Sequence, residues 1–107
     1  MNWSVEMLNE TVQAEIDALP DDMQAKFLRI VYLITHFGLE MLCEPQIKHL
    51  QSKLWEMRLK GRDGISRALY VTATGKRVVV VRAFVKRTQK TPPAEIDLAL
   101  RRAKEIV

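Results

Sequence analysis

Four consecutive valines, Val78 to Val81, lie between Arg77 and Arg82. A strand wetted on one side alternates apolar and polar residues, so this run belongs to a strand covered on both faces. The chain must therefore build layers on both sides of a sheet interior. Thr74-Gly75 marks a tight turn ahead of the run, with Lys76 to Val85 as the strand after it and Ser66 to Ala73 as its antiparallel partner before it. A third strand reads from Leu54 to Leu59, where Trp55, Met57 and Leu59 alternate with Glu56, Arg58 and Lys60. One face is apolar and the other charged, and Gly61 and Gly64 read as turn residues between the strands. Trp55 and Phe84 sit in the strand pattern and read as packing residues rather than base-stacking ones.

The same stretch, residues 54 to 90, carries ten Lys or Arg against two acids, Glu56 and Asp63. Regular strands this basic present their cations from a rigid surface, which suits a polyanion. The charge is lopsided along the chain. Residues 1–47 hold two bases and eight acids, and residues 48–107 hold fifteen bases and five acids, which together give the net +4. The 107 residues suffice for one domain, 1–107, with one core. Cys43 is the single cysteine, so an internal disulfide and a thiolate metal cluster are excluded, and no cofactor motif is present. The opening MNWSVEMLNE has no basic segment followed by an apolar one, and no apolar run approaches a membrane span of roughly 20 residues. A cytoplasmic protein is expected.

Before the sheet, Trp3, Val5 and Met7 form a short strand signal, with an edge place beside the later hairpin expected. Asn9 caps a helix that runs to Leu19 and stops at Pro20; a second helix follows, with Asp21 and Asp22 at its start and Met23, Phe27, Ile30 and Ile34 along one stripe to about Phe37. Gly38 ends it. Pro45 predicts one helical turn around Ile47 and Leu50, and Thr91-Pro92-Pro93 opens a last helix bearing Ile96, Ala99, Leu100 and Ala103. Arg101, Arg102 and Lys104 near its C-terminal end suit the helix dipole. The expected class is α+β: a small antiparallel sheet packed against an N-terminal helical hairpin and a C-terminal helix.

The run Leu-Trp-Glu-x-Arg from Leu54, a basic glycine turn, Arg67-x-x-Tyr70, and Phe84-x-Lys-Arg-Thr-x-Lys-x-Pro92 resembles the HigB-type branch of the RelE toxin superfamily over about residues 45–105. That resemblance implies a RelE-like, microbial-RNase-like fold. It also implies ribosome-dependent cleavage of translated mRNA, restrained by a cognate helix-turn-helix antitoxin of the HigA kind. The family builds its active surface from strand cations, matched here by Arg58, Lys60, Arg67 and Arg87, with Lys86 inside the motif. Some relatives carry a tyrosine in register with Pro93, and Tyr70 is the nearest substitute. Others use histidine near the strand ends, which leaves His49 open.

Cleavage by the 2′-hydroxyl needs a base, charge stabilisation at phosphorus and a proton for the leaving 5′-oxygen. Lys60 is assigned the base role, provided that Arg58, Arg62 and Arg67 lower its pKa. Arg67 and Arg87 fit phosphate clamping, since a guanidinium fork binds two oxygens at once. Arg58, Arg62, Tyr70, Lys86 and Lys90 are assigned to RNA or ribosome contact, with no metal. The alternative is a non-catalytic nucleic-acid-binding module, such as a phage regulator, using the same charge as a solvated face.

Overall fold

A computed structural model describes residues 2–87 and 89–107; the Thr88 of the sequence motif lies outside the described residues. The strands are β1 (Ser4–Met7), β2 (Ile47–Gln51), β3 (Leu54–Gly61), β4 (Gly64–Ala73) and β5 (Arg77–Lys86), with helices α1 (Glu10–Asp17), α2 (Asp21–Phe37) and α3 (Pro93–Ala103). They form one five-stranded sheet in the order β1-β5-β4-β3-β2. All neighbouring strands are antiparallel except β1, which runs parallel to β5 with Ser4 opposite Arg77. The class is α+β, as the sequence implies, and the short first strand takes the edge beside the hairpin.

The valine run explains the layering. Val78 and Val80 enter one core with Val12, Ile16, Phe27, Ile30 and Ile34 of the helical hairpin, while Val79 and Val81 enter a second with Leu54, Leu69, Val71 and Ala99 beneath α3. Burying a large aliphatic side chain contributes about 1.5–3 kcal/mol, so these four valines fasten both layers to one strand. At the turn ahead of them, Gly75 has φ 87° and Lys76 φ 56°, left-handed positions that glycine takes without a Cβ penalty.

The helical hairpin follows its local signals. Asn9 Oδ1 accepts the Val12 N–H at 3.0 Å, satisfying one orphan donor of α1. Gly38, at φ 94°, ends α2 and donates its N–H to the Ile34 carbonyl.

Two expectations need correction. Residues 47–51 form a strand rather than a helical turn. Ile47 lies opposite Met57, Lys48 opposite Glu56 and His49 opposite Trp55, and this pairing buries Ile47 and extends the sheet. Gly61 is also more than a turn residue. A Cβ there would meet Asp22 Oδ2 at 2.7 Å and Met23 Cγ at 2.8 Å, so α2 packs directly on the end of β3. The reading of Trp55 and Phe84 as packing residues agrees with their places, both partly buried against the two cores.

Candidate functional site

Sheet register assembles charges that are distant in sequence. Arg58 in β3 lies directly opposite Arg67 in β4, while Lys60 faces Ile65, which in turn faces Lys86 in β5. Like charges directly opposite one another destabilise a sheet. Glu56 partly offsets this: its Oε2 lies 3.3 Å from Arg67 Nη1 and 3.9 Å from Arg58 Nε, and Thr91 Oγ1 donates to its Oε1. Arg67 is 1% exposed and Glu56 2%. The sequence reading puts both on a charged face; they are instead a buried pair, with Glu56 at the floor of a cleft and Arg67 held against it.

That pairing is incomplete. Arg67 Nη1 is close enough to Glu56 for an ion pair but is not aligned for a hydrogen bond, and Arg67 Nε, Arg67 Nη1 and Arg58 Nε are buried donors with no hydrogen-bond partner among the described residues. Buried donors left unmade cost free energy. Two guanidinium groups against one carboxylate also leave a surplus positive charge. An oxyanion of phosphate size answers both deficits, since it accepts several N–H bonds at once.

The cleft above this floor measures about 220 Å³ and is lined by Lys48, Glu56, Arg58, Lys86, Lys90 and Thr91, among others. Burial first, and then the charges of Arg67, Arg58 and Lys48, hold the Lys86 ammonium below the usual lysine pKa, against an opposite pull from Glu56. Arg67 is likewise lowered by burial, with Glu56 opposing and Arg58 reinforcing the shift. Arginine starts so high that it keeps its proton, whereas for Lys86 these surroundings disfavour the charged form.

Of the residues singled out in the sequence, His49, Arg58, Lys86 and Lys90 line this cleft, and Arg67 is buried against Glu56 of its lining. Arg87 is exposed just past the end of β5. Lys60 is exposed and lines a different cleft, shared with Arg58 and α2. Arg62 projects from the β3–β4 turn with its side chain 88% exposed, beside Asp63 at 3.8 Å, and its backbone N–H donates to Asp22 Oδ2. Tyr70 does not join them. It is 1% exposed in the core beneath the helical hairpin, and burial raises its phenol pKa, so its assignment to the RNA-facing surface is corrected. His49 packs against Trp55 at 5.1 Å, with Nε2 at 2.6 Å from the Ser52 carbonyl oxygen. Glu56, Thr91 and Lys48 were missed. The one available signal was Glu56 itself, the sole acid on the charged side of its strand.

The family described as Phage derived protein Gp49-like matches residues 14–104. No curated protein matches the sequence. Among solved structures, the fold is similar to that of the E. coli toxin RelE, a double arginine-to-alanine mutant in the free state. The TM-score is 0.66 at 14% identity, over 95% of this chain and 98% of that one. It is also similar to the archaeal RelE-RelB complex from Pyrococcus horikoshii OT3, with TM-score 0.56 at 16% identity over 84% of this chain and 100% of the matched one. At these identities the likeness is one of fold.

Proposed function

The chain belongs to the Phage derived protein Gp49-like family, and we propose that it is the toxin of a toxin–antitoxin pair, a HigB-type ribosome-dependent endoribonuclease that cuts translated mRNA. The observation that carries this reading is the cationic cleft lined by Lys48, Arg58, Lys86 and Lys90, with Arg67 buried against Glu56 of its lining and Arg58 Nε, Arg67 Nε and Arg67 Nη1 lacking acceptors among the described residues. The RelE-like fold and the strand motifs support it.

In this reading the scissile phosphate sits against Arg58, which donates to its non-bridging oxygens, while the buried charge of Arg67 beside it helps to stabilise the charge that develops at phosphorus. The 2′-oxygen of the preceding ribose attacks phosphorus as its proton passes to a base; the 2′-O–P bond forms, the P–O5′ bond breaks, and the 5′-oxygen takes up a proton. Lys86 accepts the first proton in this reading, because it lines the phosphate cleft, as Lys60 does not, and burial and neighbouring charge disfavour its cation. Glu56 positions the two guanidinium groups. Arg87, exposed just past the end of β5, clamps the phosphate from outside. Lys60 and Lys90 serve the RNA strand as cations.

His49 is the one ring-bearing side chain among the described residues that line the phosphate cleft, and in this reading orientation of the substrate falls to the ribosome. The remaining parts of the proposal are a cytoplasmic setting and a cognate antitoxin of the HigA-like helix-turn-helix kind. Mapping RNA 5′ ends after induction, with and without a translation-initiation block, tests it. Cuts are expected only in messages under translation. Equal cleavage of naked RNA contradicts ribosome dependence, and RNA binding without any cuts favours the non-catalytic module.

A further inference from the structure

The N-terminal 47 residues contain only two bases, Lys26 and Arg29, and α2 brings both to one place. Spaced i, i+3, they share a helix face. They line a cleft of about 540 Å³ between α2 and β3, opposite Arg58 and Lys60, with Ile30, Leu33, Pro45 and Ile65 also on its walls. No acid is among the lining residues, although this half of the chain holds eight. Lys26, Arg29 and Lys60 take part in no ion pair or hydrogen bond among the described residues. Arg58 lines this cleft and the phosphate cleft alike, so the two are neighbours on either side of its side chain.

We propose that this second cleft is a nucleotide subsite, taking the phosphodiester backbone and one base of the RNA strand next to the position held in the phosphate cleft against Arg58. The chemistry is that of a nucleotide: four cations answer phosphate oxygens, and the aliphatic walls cover the flat face of a base. The volume lies within the range that ligand sites of this size occupy, roughly 300–1,000 Å³. The charge placement is selective. An acidic helical hairpin repels RNA everywhere except where its only two bases face β3, so the strand is steered along one track. The proposal rests on the RNA-directed reading above, but it concerns binding and does not require cleavage.

The test measures anisotropy of 5′-labelled 2′-O-methyl oligonucleotides, a dinucleotide and a hexanucleotide, which cannot be cut by 2′-oxygen attack. The variants are Lys26→Ala/Arg29→Ala and, as a control of equal charge change, Arg101→Ala/Lys104→Ala on exposed positions of the far helix. Alanine is the best helix former, so α2 persists. The first variant should lose the affinity gained in going from dinucleotide to hexanucleotide. Its plot of log affinity against log salt should be shallower by about 1.4, the slope of two phosphate contacts on a single strand. The control should match the parent. Equal behaviour of both variants, an equal loss on both oligonucleotides, or a loss seen only in ribosome sedimentation overturns the subsite. A parent that binds no RNA overturns the subsite and the functional reading together. Oligonucleotide binding as expected with no cleavage on ribosomes leaves the subsite standing and removes the nuclease.

Discussion

Arg67 is held in a state that a folding protein would not choose for stability alone. Its charge is buried, an arginine stands directly opposite, and its donors lack acceptors. Removing one partner of a buried ion pair costs about 3–5 kcal/mol, because the other charge is stranded. Arg67→Ala should therefore lower the melting temperature by leaving the buried Glu56 with only Arg58 at 3.9 Å and the Thr91 hydroxyl, whereas Arg87→Ala, at an exposed position, should stay within about 0.5 kcal/mol. Calorimetric melting of both variants decides the point; equal melting curves would mean that Arg67 is not held by Glu56. The catalytic comparison lies at Lys86. Lys86→Arg keeps the charge but cannot give up a proton, so ribosome binding should survive while cleavage falls, and Lys60→Arg should cut like the parent. In the parent, cleavage should rise with pH through the lowered Lys86 value and then level off. Stability moves the same way: between that folded value and the ordinary 10.5 the native state binds fewer protons than the unfolded one, so stability increases with pH across that window. A pH–rate profile unchanged by Lys86→Arg would remove Lys86 as the base.

At the scale of elements, the junction of α2 and β3 decides whether the second cleft exists. Asp22, in the first turn of α2, accepts the Arg62 backbone N–H at 2.6 Å, and Gly61 leaves the space for that approach. Gly61→Ala should cost about 1–3 kcal/mol by forcing Asp22 and Met23 aside, and it should weaken hexanucleotide binding because Lys26 and Arg29 ride on the displaced helix. Full stability in that variant would show that the helix end gives way freely. This contact also marks where sequence reading stops. The helices and the β4–β5 hairpin were legible because their signals are local: the Asn9 cap, the Pro20 break, the valine run and Thr74-Gly75 all act within one element. Strand β2 was not legible, since only Ile47 is buried among its five residues, the register shifts between His49 and Gln51, and its extended form depends on pairing with β3. The Glu56–Arg67 pair was hidden for the same reason. Alternation gives the face of each residue, but burial of that face depends on Thr91 and α3, thirty-five residues further on.

Across the whole molecule, charge is divided between a helical hairpin with exposed acids at Glu10, Asp17, Asp21 and Asp22 and a sheet whose cations gather around two clefts that share Arg58. A partner that silences the protein has two kinds of surface to use. One is the cationic track, where acidic groups would compete with RNA. The other is the apolar exposure along and beyond α2, where Leu28 is 65% exposed, Tyr32 47%, Phe37 59% and Met41 64%. Their salt responses differ, because attraction between exposed charges fades once the screening length shrinks from about 10 Å at 0.1 M salt to about 3 Å at 1 M, while apolar burial does not. The cations outnumber the acids around the track and are directly involved in the proposed chemistry, so covering them is the more economical inhibition. Titration calorimetry with the product of the neighbouring gene should accordingly show affinity that falls steeply with added salt. Lys26→Ala/Arg29→Ala should reduce that dependence. Tight binding indifferent to salt would instead place the partner on the apolar side of α2, and RNA cleavage would then have to be blocked by keeping the protein from the ribosome rather than by filling its clefts.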